Sequence, residues 1–95
     1  MKIEIENVNH PGKVYRVEAE PFNAIKATML KVVPTGGPGL TQSEMVAAVK
    51  AAAPGALFPG GERAGWWTKS VQLDMEAKGE LVRLPTKPLR WRLKA

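Results

Sequence analysis

Apolar and polar residues alternate along Lys2–Val8, where Ile3 and Ile5 stand between Lys2, Glu4 and Glu6. They alternate again along Lys13–Ala19, where Tyr15, Val17 and Ala19 share one side. A period of two is the signature of half-buried strands. Between the two runs, Asn9-His10-Pro11-Gly12 supplies a type II-like turn: proline presets the second turn position and glycine accepts the positive φ of the third. Residues 1–19 therefore read as a β-hairpin. The alternation lapses near Asn7 and Val8, which leaves the pairing register open.

From residue 21 the period lengthens. Pro21 suits a first helical turn, and Phe22, Ile25, Met29 and Val32 recur at helical spacing, so a first helix is expected over about residues 21–33, ended by Pro34 and the Gly36-Gly37-Pro38-Gly39 loop. Thr41 and Glu44 have the spacing of a capping box. A second helix starts there, with Met45, Val46, Val49 and Ala53 as its stripe, alanines on its flanks, and Pro54-Gly55 as its end. A third is expected over Glu62–Lys78, closed by Gly79 as a left-handed C-cap. Its wheel carries two apolar stripes, Ala64/Trp67/Val71/Met75 and Trp66/Leu73/Ala77. Thr68, Lys69, Gln72 and Glu76 form the main polar strip between them, and Arg63 and Asp74 the narrower gap. A helix apolar on two sides belongs between two layers of its own protein.

Leu81–Leu84, the Pro85-Thr86-Lys87-Pro88 turn and Leu89–Leu93 close the chain as a second hairpin, with Leu89, Trp91 and Leu93 facing inward and Arg90, Arg92 and Lys94 outward. The expected class is thus α+β in a single domain, 1–95: an N-terminal β-hairpin over 1–19, three helices over 20–79, and a hairpin and tail over 80–95.

Composition adds three exclusions. With 95 residues, 44% hydrophobic and 24% charged, the chain has the balance of one globular domain. Without cysteine it has no disulfide framework and no thiolate metal site, and it suits a reducing, cytoplasmic setting. No stretch has the length of a membrane span. His10 is the only histidine, and Ser43 and Ser70 have no base nearby in sequence, so neither a metal site nor an enzyme is expected, and no cofactor.

Charge is the informative term. The net +5 comes from 14 Lys and Arg against 9 Asp and Glu, and residues 1–82 cancel, nine against nine. The excess sits in Arg83, Lys87, Arg90, Arg92 and Lys94, with no acid among them. Such a segment attracts phosphate; it is equally what a solvated terminus needs for solubility.

Helix, capped helix, longer helix ending in Met75-Glu76-Ala77-Lys78-Gly79, then a hairpin: this order is similar to a winged helix-turn-helix domain, with the resemblance spanning about residues 20–95 and Leu40-Thr41-Gln42-Ser43-Glu44-Met45 standing where the first helix of the pair begins. The runs Leu57-Phe58-Pro59-Gly60-Gly61-Glu62, Ala64-Gly65-Trp66-Trp67, Val71-Gln72-Leu73-Asp74 and Thr86-Lys87-Pro88-Leu89-Arg90-Trp91 also resemble a family of small, functionally uncharacterised bacterial proteins, over nearly the whole chain. That second resemblance implies a fold and a bacterial setting and brings no activity. Two features depart from the winged-helix pattern: residues 54–61 lengthen a connection that is usually short, and the third helix carries as many acids as bases.

The winged-helix resemblance implies a double-stranded DNA-binding protein, in a transcriptional regulatory role. Thr68, Lys69 and Gln72 would reach base edges, and the wing would hold phosphates through Arg83, Lys87, Arg90, Arg92 and Lys94. The alternative is a protein-interaction module, with the helix strip as an ordinary solvated face or a protein contact. Trp66 and Trp67 point about 100° apart on a helix, so they make no single stacking platform. Both are expected as core anchors, Trp67 against the first two helices and Trp66 against the N-terminal hairpin or a second subunit. A monomer is the default, and an exposed Trp66 or Leu73 would argue for a homodimer.

Overall fold

A computed structural model describes residues 1–94. Ala95, the end of the expected tail, lies outside the described residues. The opening hairpin consists of β1 (Lys2–Glu6) and β2 (Val14–Glu18), antiparallel, with Ile3 opposite Val17 and Ile5 opposite Tyr15. Its turn is the expected one: Lys13 N–H donates to the His10 carbonyl at 3.2 Å and Gly12 sits at φ 86°. The Asn7 side chain accepts the Asn9 N–H at 2.8 Å, which explains why alternation stops there.

Helix α1 (Ala19–Val32) follows without a loop and starts two residues earlier than its periodicity predicts. Pro21 still falls within the first turn, where its missing N–H costs nothing. A strand the pattern did not reveal, β3 (Leu40–Thr41), precedes α2 (Gln42–Ala52). The capping box is present: Thr41 Oγ1 accepts from the Glu44 N–H at 3.2 Å, and a Glu44 carboxylate oxygen accepts from the Thr41 N–H at 2.8 Å. A 3-10 turn at Pro59–Gly61 leads to α3 (Ala64–Ala77). This helix begins two residues later than predicted because Gly60, Gly61 and Arg63 all take positive φ. It ends as a Schellman motif, with Gly79 at φ 72° and the Glu80 N–H bonded to the Met75 carbonyl at 2.8 Å. β4 (Leu81–Leu84) and β5 (Arg90–Leu93) form the closing hairpin.

The molecule is α+β. Among the described residues, three helices accompany a two-stranded sheet, β1-β2, and a three-stranded antiparallel sheet of order β3-β5-β4. β3 ties the closing hairpin to the start of α2, with Leu40 opposite Trp91 and Thr41 opposite Arg90. Gly39 permits that approach: a Cβ there would lie 2.6 Å from the Trp91 carbonyl oxygen. One core joins all layers, from Phe22, Ile25 and Met29 of α1 through Met45 and Val49 of α2 and Val71 and Met75 of α3 to Leu81, Trp91 and Leu93.

The stripe that α3 buries differs from the expected one. Ala64, Thr68, Val71, Gln72 and Met75 form the core-facing side, so Thr68 (0% exposed) and Gln72 (1%) are interior residues and not part of a solvated strip. Thr68 tolerates this because its hydroxyl donates to the Ala64 carbonyl one turn back at 2.7 Å. Gln72 Oε1 is buried without a partner among the described residues. Trp66, expected as a core anchor, is 60% exposed, and Trp67 is half-buried with its ring edge-on to Trp66 at 4.9 Å.

Candidate nucleic-acid interface

Lys69 is the member of the expected base-reading trio that reaches solvent. It lines an open depression with Thr41, Gln42 and Ser43 at the start of α2 and with Pro88, Leu89 and Trp91 of the closing hairpin. The third helix and the hairpin therefore share one accessible surface. Lys87, at the hairpin tip beside the lining Pro88, is exposed.

The other hairpin cations are less free than their sequence suggests. Arg83 is neutralised by Glu76 of α3, with Nε at 2.9 Å and a terminal nitrogen at 3.4 Å from the two carboxylate oxygens. Its guanidinium also lies 5.7 Å from the Trp91 ring centre. Cross-strand pairing puts Arg83 opposite Trp91, so it belongs to the inner face of the hairpin and covers the indole. Arg90 donates to the Gly39 carbonyl at 3.1 Å and to Glu44 Oε1 at 3.3 Å. Arg92 donates to the Gly37 carbonyl at 3.1 Å, which fixes its position, and it has no acidic partner among the described residues. Lys94 lies elsewhere, in a hollow with Lys26, Leu30, Thr35 and Glu80. The five cations expected without acidic partners thus include two that are ion-paired and one on another face.

Glu44 links cap and hairpin. Its carboxyl is held below the ordinary value of 4.5, chiefly by the Thr41 backbone N–H it accepts; partial desolvation opposes this, and the Arg90 charge and the Thr41 hydroxyl add to it. Sequence reading found the Thr41/Glu44 box but not the Arg90 partner, which is 46 positions away and comes near only through the β3–β5 pairing.

A second surface lies on the hairpin side of α3. The hairpin and α3 enclose an apolar groove in which Ile5, Tyr15, Val17, Trp66 and Leu73 meet, with Arg16 and His10 at its edge. Asp74, fully buried, anchors this layer: its Oδ1 accepts the Glu6 backbone N–H at 2.8 Å, and the Lys78 ammonium stands 2.9 and 3.0 Å from its two oxygens.

Fold and surface together define a small α+β structure, with three helices and two antiparallel sheets among the described residues and a partly neutralised basic hairpin beside the start of the second helix. Over residues 2–91 the chain matches a family of unknown function, DUF6958, and it belongs to that family. No curated protein and no solved structure is matched. Among the described residues, no helix is long and apolar enough to cross a membrane.

Proposed function

We propose that this chain is a winged helix-type protein that captures duplex DNA by its phosphate backbone, through the hairpin tip, Arg92 and Lys69, with no base reading by Thr68 or Gln72. The winged-helix reading is supported by the helix order, by the hairpin that follows α3, and by β3, which fastens that hairpin to the helical unit. The observation that carries the binding proposal is the common depression of Lys69, Thr41–Ser43 and the hairpin. There a helix start offers partial positive charge beside Lys69, and Lys87 is exposed next in sequence to the lining Pro88.

Three contacting cations, Lys69, Lys87 and Arg92, correspond to a slope of about −2.7 in log affinity against log salt. Fluorescence anisotropy of a labelled duplex over a salt series measures it. Lys69→Ala and Lys87→Ala should each lessen the slope by about 0.9, equally for every sequence. Arg83→Ala, already neutralised by Glu76, should leave it unchanged. No duplex binding at low salt overturns the proposal. The rival protein-interaction reading is favoured by a different observation, the exposed Trp66 in its apolar groove.

A further inference from the structure

We infer that two copies of this chain associate through the outer edge of β2, extending the opening hairpin into a four-stranded sheet whose apolar side, bordered by Trp66 of each copy, runs continuously across the dimer. The inference goes beyond the DNA reading and uses none of its residues.

The two edges of the opening hairpin are not equivalent. The cross-strand bond from the Ala19 N–H to the Met1 carbonyl, 2.9 Å, sets the phase of the ladder: Ile3, Ile5, Tyr15 and Val17 bond across, and even-numbered residues direct their backbone groups outward. On β1 the outward Glu6 N–H is taken by Asp74 of α3, so the helix blocks that edge at its C-terminal end. On β2 the outward edge at Val14, Arg16 and Glu18 meets no strand among the described residues. An uncovered edge is a template for another strand. Here it borders exposed apolar surface, with Tyr15 39% and Trp66 60% exposed on the groove side.

Charge selects the occupant and the register. Strand alternation puts Tyr15 and Val17 on the groove side and Val14, Arg16 and Glu18 on the other, with Arg16 also reaching the rim of the groove. An antiparallel second copy keeps the apolar side continuous only in registers that preserve this alternation, because a one-residue slip exchanges the faces. With Arg16 on the two-fold axis, two guanidinium groups oppose each other. With Val17 on the axis, Arg16 of each copy faces the second copy's Glu18, which gives two ion pairs related by symmetry. In that register the Glu18 N–H of each copy reaches the second copy's Arg16 carbonyl, and the two Val17 side chains meet between the grooves. Glu18 is available for this: its contact to the Met1 amino group is 3.7 Å long and solvent-exposed on both sides. The ladder itself is short, so Tyr15 and Trp66 must supply much of the buried area, and the dimer is expected to weaken when Trp66 is truncated.

Sedimentation equilibrium of the full chain over a wide concentration range tests this. The expected result is a concentration-dependent dimer, with Arg16→Glu and Glu18→Arg each weakening association about tenfold or more by setting like charges together, and the double exchange restoring it. Trp66→Ala should act in the same direction. Circular dichroism of each variant, together with recovery in the double exchange, separates lost association from lost folding. A chain monomeric at every concentration overturns the inference, and so does a dimer indifferent to both single charge reversals. The monomeric variants should keep the duplex affinity and salt slope per subunit, so failure here and failure of the DNA reading are distinguishable.

Discussion

Asp74 carries a carboxylate into a fully buried site, and a charge there persists only when its oxygens are engaged. Both are: the Glu6 N–H and the Lys78 ammonium share them. Asp74→Ala leaves a strand N–H without its acceptor and should cost about 1–3 kcal/mol. Denaturant titration reads that loss, and amide exchange should accelerate more in β1 and β2 than in β4 and β5. Glu44 contributes at the surface, where pH is the probe. Its folded pKa is depressed, so its stabilisation is present above 4.5 and is lost as pH falls through the lower folded value. The denaturation midpoint of the native chain should therefore exceed that of Glu44→Gln near neutrality, and the gap should close below pH 4.5. Neither role was fully legible in the sequence. Asp74 stood in the gap between two stripes, but its strand partner is 68 positions away.

At the scale of elements, what the sequence disclosed was local chemistry. The Pro11-Gly12 turn, the Thr41/Glu44 box and the Gly79 cap each act over three to six residues, and each lies where its spacing predicts. β3 was invisible because two residues show no period; its conformation is imposed by Trp91 and Arg90, some fifty positions on. Gly39 makes this pairing possible, holding φ 77° against the Trp91 carbonyl. In Gly39→Ala the left-handed backbone alone costs about 1–2 kcal/mol, and the added methyl must also displace a backbone oxygen. The expected outcome is a larger total loss by calorimetry, with chemical-shift changes concentrated in β3, β5 and the start of α2. The Thr68/Gln72 error has a related cause. Small and amphipathic side chains at those positions fit a core face as well as a wet one, and the choice rests with the layers that close over α3.

For the whole molecule, linear charge counting located the surplus and misjudged its freedom. Arg83 and Arg90 are basic residues in an acid-free segment, yet folding brings Glu76 and Glu44 against them. The surface that can meet phosphate is therefore smaller than the count of five implies, and the start of α2 and Lys69 belong to it as much as the hairpin does. This makes Glu44 a brake on the proposed binding. Glu44→Gln keeps an amide oxygen for the Thr41 N–H, since glutamine also completes a capping box, while releasing the Arg90 charge. Duplex affinity should rise, and the salt slope should steepen by about 0.9, one further phosphate contact. Anisotropy titrations of the native chain and the variant at matched ionic strengths measure both quantities. An unchanged slope would mean that Arg90 faces no phosphate and that binding, where it occurs, is confined to Lys69, Arg92 and the hairpin tip. A steeper slope that Arg90→Ala abolishes would assign the added contact to that one side chain.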